Sequence, residues 1–231
     1  TGYTDVIDIF NASGAVRAPT LFVSSTLYRD DTSLVDDRRV RTLYPPWEYA
    51  SLRAAVDTAK NTDQTVNRQN LARQVAQIVA MVRGGGRVIT GTDSPIDHTA
   101  VSTHMNLRAM VMFGLTPYEA LSTATRVPGE FLTEPVGQVK PGMYADLAIL
   151  GGNPLTDITQ VANVRQVMVN GTLHTVDSLL APFAESTATS PAPAATNRML
   201  APVPHHPANA RYWWHDPHYV RESRHACCAE G

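Results

Sequence analysis

One stretch does most to limit what this chain can fold into. Between residues 65 and 93 an apolar helix face, three glycines and a short β-branched run follow one another. Leu71, Val75, Ile78, Val79 and Val82 recur at spacings of four, three, one and three, which sets them on one side of a helix. Gly84-Gly85-Gly86 ends that helix, because three glycines lose too much backbone entropy on ordering to prolong it. Arg87-Val88-Ile89-Thr90-Gly91 then reads as a strand. Helix, tight turn and strand in this order form the repeating unit of an α/β fold.

The neighbouring elements follow from similar signals. Residues 48–60, behind Pro45-Pro46, read as a helix, and residues 104–113 as another that stops at Gly114. Thr116-Pro117-Tyr118-Glu119 supplies an N-cap, a proline at the first helical position and an acid at the third. That is a capping box ahead of Ala120, Leu121 and Ala124. Upstream, residues 6–10 form a short mixed segment, and residues 20–24 have the composition of a buried strand. Residues 28–46 are charged and bounded by prolines, which reads as a long surface excursion. Its Tyr28, Arg29 and Tyr44, with Trp47, could line or lid the mouth of a site, and equally could be ordinary surface residues.

After Arg126 the texture changes. Glycines punctuate short strand-like runs at 145–150 and 165–169. Asn170-Gly171 is the favoured two-residue hairpin turn, so residues 167–169 and 173–176 are expected to pair antiparallel. Beyond Pro182 the chain is rich in Ala, Thr and Pro, a composition that need not pack. The final 30 residues hold His205, His206, His215, His218, His225, Trp213, Trp214, Cys227 and Cys228 without a discernible period.

Composition narrows the function classes. Of 231 residues 43% are apolar, enough for a sizeable core. Nineteen basic against twenty-one acidic residues give a net charge of −2, which argues against a nucleic-acid partner. No run of 18 apolar residues occurs, so no transmembrane segment is expected. The two cysteines are adjacent, which excludes a disulfide-stapled scaffold and leaves the compartment unassigned, with the cytoplasm slightly favoured. The chain opens Thr1-Gly2-Tyr3, with neither an initiator Met nor a signal-peptide pattern.

A closed eight-stranded α/β barrel takes about 250 residues. Only residues 20–24 and 87–91 read as strands before residue 136, and two parallel strands cannot close a barrel. The simplest expectation is the rear part of a larger domain.

Asp93 is the leading chemical candidate. It follows the 87–91 strand within Thr90-Gly91-Thr92-Asp93-Ser94-Pro95, and the carboxyl ends of strands are where α/β folds bind ligands. A compact carboxylate there could ligate a metal or take a proton. The plainer alternative is a local cap, with Thr92, Asp93 and Ser94 satisfying nearby backbone N–H groups. His98 and His104 lie downstream as candidates for substrate contact or for support behind metal ligands, against the ordinary alternative of hydrogen-bonded structural histidines. The Thr92-Asp93-Ser94 run is no nucleophile elbow, and the three glycines lack the Lys and Ser/Thr of a phosphate loop. In the tail, His215 and His218 with His225-Ala226-Cys227-Cys228 offer a weak zinc reading.

An ordered set of motifs now resembles a known family. Val88 through Thr92-Asp93-Ser94, His104 to Arg108, and Phe113-Gly114-Leu115-Thr116-Pro117-Tyr118-Glu119-Ala120-Leu121 come first. Ala124-Thr125, residues 136–150, Gly152-Asn153-Pro154-Leu155, Asp157-Ile158 and Val167-Met168-Val169-Asn170-Gly171 complete the series. Across about residues 15–176 the chain resembles the closing part of metal-dependent amidohydrolases, nearest the imidazolonepropionase-like and prolidase-like branch.

The resemblance implies a distorted (β/α)8 barrel joined to a small β-sandwich, with one or two divalent ions, zinc first. It implies that Asp93 is the aspartate after the eighth strand, both metal ligand and general base, and that residues 20–24 are the seventh strand. Residues 1–135 are then the carboxyl-terminal part of the barrel, 136–181 half of the sandwich, and 182–231 a flexible tail. The implied reaction is hydrolysis of a carbon–nitrogen bond in a small amide, cyclic amide or peptide. The family's His-x-His pair does not occur in this sequence, nor do histidines before Thr20. One carboxylate cannot hold a catalytic zinc, which takes about three protein ligands. Activity is therefore expected only if an upstream barrel half, or a homo-oligomeric partner, completes the site. The alternatives are a non-catalytic or truncated fragment, or a binding module that uses its tail. Residues 126–135, with Pro128 and Glu130-Phe131, depart from the small residues and Leu-Gly unit that the family shows there.

Overall fold

The computed structural model describes residues 4–94 and 97–183. The His-, Trp- and Cys-bearing tail, and with it the zinc and partner readings placed there, lies outside the described residues.

The chain opens with α1 (Thr4–Ser13), where a short mixed segment was expected, and turns at Gly14 into β1 (Val16–Arg17). Residues 20–24 do not extend this strand. Thr20 makes one parallel bridge to Gly91, and the backbone then coils into a 3-10 helix, Phe22–Arg29. The reason is visible in the packing: Ser24, Thr26, Leu27 and Tyr28 are all buried, a burial spacing that a period-two strand with one covered face does not give.

The 28–46 excursion is likewise corrected. Tyr28, Leu34, Val35 and Tyr44 are buried in the main core. Of the charged residues between them, Arg38, Arg39 and Arg41 lie on α2 (Arg38–Leu43), whose first turn is capped by the Asp37 carboxylate accepting from Arg39 N.

The helical layer comes next. α3 (Pro46–Asn61) starts with proline at its first turn and buries Leu52, Val56 and Ala59. α4 (Thr65–Arg83) buries Leu71, Val75, Ile78 and Met81, with Val79 and Val82 at the margin. The triple glycine closes it through Gly84 N to Ala80 O and Gly86 N to Met81 O. A Cβ on Gly84 or Gly86 would sit within 2.3 Å of the Asn11 amide group of α1 and within 3.0 Å of a backbone carbonyl of α4. β2 (Arg87–Val88) then runs parallel to β1, with Val16 opposite Arg87 and Arg17 opposite Val88. α5 (Val101–Met112) is buried along most of its length, and α6 (Pro117–Ala124) carries the expected capping box, Glu119 N to Thr116 Oγ1 at 3.2 Å and Thr116 N to Glu119 Oε2 at 2.7 Å.

The last third holds α7 (Arg126–Leu132), then an antiparallel sheet of β3 (Leu147–Leu150), β4 (Val164–Val169) and β5 (Thr172–Thr175), in that order, and α8 (Val176–Leu180). The β4–β5 hairpin turns on Asn170 and Gly171, both at positive φ, as the sequence requires. A 3-10 helix, Ile158–Ala162, connects β3 and β4 and sends Ile158 into the main core. The sheet itself is thinly covered: Ile149, Val169 and Leu173 are exposed, and the outer edges of β3 and β5 have no strand partner among the described residues. Over those residues the fold is α/β with alternating strands and helices, and it forms neither a closed barrel nor a two-sheet sandwich. No helix among them is long and apolar enough to cross a membrane.

α7 is held by close backbone approach. A Cβ on Gly129 would lie 2.3 Å from Val136 O, and one on Gly137 would lie 2.2 Å from Thr125 O. Gly137 also has a φ of +85°. Gly137→Ala therefore combines left-handed strain with a backbone clash, and should lower unfolding stability by at least about 2 kcal/mol in a urea titration. A loss below about 0.5 kcal/mol would show that this contact does not hold the segment.

Candidate functional site

The carboxyl end of β2 is organised around Gly91. Beyond the paired Arg87-Val88, Ile89 N still donates to Arg17 O at 2.9 Å, and Thr90 N turns the other way to Thr123 O at 2.8 Å. The hydroxyls of Thr90 and Thr123 lie 2.6 Å apart. The Gly91 carbonyl accepts from Asn106 Nδ2 of α5 at 2.8 Å. Asn106 is fully buried, and its Oδ1 has no hydrogen-bond partner among the described residues.

Asp93 leaves this strand end at a φ of +54°, a conformation that Asp tolerates better than most side chains. Its side chain is exposed, and its carbonyl accepts from Asp97 N at 3.4 Å. Beside it Ser94 Oγ donates to Asp97 O at 3.4 Å, a hydroxyl-to-carbonyl bond and not the capping of a backbone N–H.

His98 is placed differently, 2% exposed, with Nδ1 3.1 Å from Glu48 Oε1. Glu48 is itself buried at the start of α3. Two further contacts pin the same loop: His98 N donates to Asp97 Oδ1 at 2.8 Å, and the Tyr44 hydroxyl donates to Thr99 O. Burial is the main reason the Tyr44 hydroxyl is held far above its ordinary value, which keeps it a neutral donor. Sequence reasoning did not single out Glu48, because an acid in the first turn of a helix is an ordinary occurrence.

His104 lies on the first turns of α5 and lines a cavity of about 290 Å³ together with Leu34, Val40, Leu43 and Val101. Its Nδ1 is buried and has no hydrogen-bond partner among the described residues. Burial, reinforced by the positive charges of Arg108 and Arg39, lowers its pKa to about 4. Nearby, Asp37 takes two hydrogen bonds from the Arg39 guanidinium, Nε to Oδ1 at 2.8 Å and Nη2 to Oδ2 at 2.6 Å. Burial works to raise the Asp37 pKa, but these bonds outweigh it and leave the carboxyl below its usual range.

The three predicted residues thus occupy three settings: Asp93 on the surface, His98 in a buried pair, His104 on a cavity wall. Neither Asp93 nor His98 lines that cavity. Among the described residues no group of three or more His, Cys, Asp or Glu side chains is placed to hold a metal ion. The donor set therefore does not fit a resident divalent ion, and no chemical step through one can be assigned to these residues.

His104 also sets a pH dependence. Its folded pKa lies below the ordinary histidine value of 6.5, so the unfolded chain takes up the proton first. Stability is unaffected above pH 6.5, falls as pH drops toward 4, and levels below that. The loss from this group is on the order of 2–3 kcal/mol. In denaturant titrations at pH 7 and pH 4.5, His104→Phe should remove most of the difference seen in the parent protein. An undiminished difference would place its origin elsewhere.

Comparison with known proteins adds the following. Residues 25–173 match the model of the amidohydrolase family. No curated protein matches. Among solved structures the chain is similar to an uncharacterized protein at 23% identity and a TM-score of 0.46, covering 74% of this chain and 38% of that one. It is also similar to a Xaa-Pro dipeptidase with methionine bound in the active site, at 19% identity and a TM-score of 0.47, over 75% of this chain and 37% of that one. Similarity to molinate hydrolase reaches 17% identity and a TM-score of 0.47, over 84% of this chain and 39% of that one. The chain spans about two fifths of the length of the solved structures it matches. With the family model covering well over half of its residues, the chain belongs to the amidohydrolase family.

Proposed function

We propose that this chain is an amidohydrolase-type fragment that does not hydrolyse substrate by itself. The observation that carries this reading is the pairing of family membership over residues 25–173 with a donor set that gathers no metal-holding group among the described residues. In this reading residues 1–135 are the closing strands and helices of a (β/α)8 barrel, residues 136–181 are half of a small sandwich, and residues 182–231 are a flexible tail. The motif series from Val88 to Gly171 favours the imidazolonepropionase-like and prolidase-like branch.

Completed by the remaining barrel elements, from an upstream segment or a second copy, the assembly would act on a carbon–nitrogen bond of a small amide, cyclic amide or peptide. The histidines and other ligands for one or two divalent ions, zinc first, would come from those elements. Asp93 would serve as the base: its exposed carboxylate at a strand end is free to take a proton from an attacking water and return it to the departing nitrogen. His98 would support the loop that bears Asp93, and His104 would contact substrate or back the ligands.

Two measurements test this. The purified 231-residue chain, dialysed against buffered zinc, should retain well under one equivalent by elemental analysis and release no amine from Xaa-Pro dipeptides or lactams. One tightly held equivalent together with turnover would overturn the reading. In a protein that also carries the other barrel strands, Asp93→Asn keeps the shape and loses the base, so kcat should fall by about 10²–10⁴-fold. An unchanged kcat would remove Asp93 from the chemistry.

A further inference from the structure

The cavity beside His104 has a composition that the hydrolytic reading does not use. Its walls come from three places: the segment leading into and through α2, the first turns of α5, and Ala162 at the end of the 3-10 helix before β4. Leu34, Val40, Leu43, Val101 and Ala162 make most of the lining apolar. The volume, about 290 Å³, is nearly twice that of the roughly 150 Å³ apolar cavity that accommodates benzene. It sits at the small end of the range typical of ligand sites.

Of the titratable side chains that line it, all but one are already engaged. Arg39 is matched by Asp37 through two hydrogen bonds, and its Nη2 also donates to the Ala162 carbonyl at 2.5 Å. The Tyr44 hydroxyl is committed to the Thr99 carbonyl. A charged ligand would therefore meet no uncompensated opposite charge on this lining, and would lose its hydration in entering. His104 is the exception. No described residue hydrogen-bonds its Nδ1, so none of them fixes through that atom which ring nitrogen carries the proton. Burial keeps the ring neutral near pH 7, so one nitrogen is a donor and the other an acceptor; Nδ1 is enclosed by protein atoms, which leaves Nε2 as the nitrogen a ligand could reach.

We propose that this cavity binds a compact, neutral, mostly apolar molecule that bears a single N–H or O–H group, which His104 orients. The site shares His104 with the hydrolytic reading but uses neither Asp93 nor a metal, so the indole titration can fail without touching the zinc and turnover tests of that reading, and the reverse.

Indole is a suitable probe, since it is a neutral bicycle with one N–H. In ligand-observed NMR titrations of the 231-residue protein, indole should saturate with a Kd of about 1 mM or tighter. Indole-3-acetate, the same ring with a carboxylate, should bind at least about ten-fold more weakly. Ala162→Phe and Leu34→Trp fill the space from two different elements. Each should abolish saturable binding in protein that still melts cooperatively by circular dichroism, so misfolding of one leaves the other to decide. His104→Phe keeps a ring of similar size; it should weaken indole about ten-fold and leave toluene, which has no N–H, within about two-fold. Failure of indole to saturate, indole binding unchanged in a folded filled variant, or equal weakening of toluene and indole in His104→Phe would each overturn the proposal.

Discussion

Gly91 is the point at which the α/β half of the molecule is tied together. It bridges Thr20 across the parallel pair, its carbonyl takes the buried Asn106 amide, and the backbone at Ala18 and Pro19 stands 3.5 Å from where a Cβ would be. The strands on either side are too short to stand alone, two paired residues each. The ladder is therefore kept in place by what packs around it: α3, α4 and α5 with the 3-10 helix that replaces the expected strand. Past Gly91 the chain turns away from this junction. Asp93 does so in a left-handed conformation, and the next fixed point is the buried His98.

Much of this architecture was legible before any coordinates. The α4 stripe, the triple-glycine stop, the Thr116–Glu119 capping box and the Asn170-Gly171 hairpin each depend on contacts between residues near in sequence, and each is found where those signals place it. The failures share a different cause. Residues 20–24 carry strand-like side chains, yet burial of Ser24, Thr26, Leu27 and Tyr28 is decided by α3, α4 and α5, which arrive later in the chain. Residues 28–46 look solvated because their charges are frequent, but Asp31–Arg108 and Asp37–Arg39 pair those charges while Leu34, Val35 and Tyr44 turn inward. Local composition does not report pairing at a distance.

The site shows the same division. Position after a strand singled out Asp93 and position at a helix start singled out His104, which the fold sets on the wall of a cavity. The Glu48–His98 pair is separated by 50 residues and has no spacing signature, so only the fold reveals it. The family's metal chemistry cannot be read from these residues at all, since the donors it calls for are not gathered among them.

The thin cover over the β3–β4–β5 sheet has a practical corollary for anyone handling this protein. Sheet edges that have no strand partner among the described residues, beside the exposed Ile149, Val169 and Leu173, are templates for another chain to add on. Concentrated solutions of this piece should drift toward intermolecular strand pairing unless something shields that rim, and a lysine placed at an outward β5 position is the natural gatekeeper.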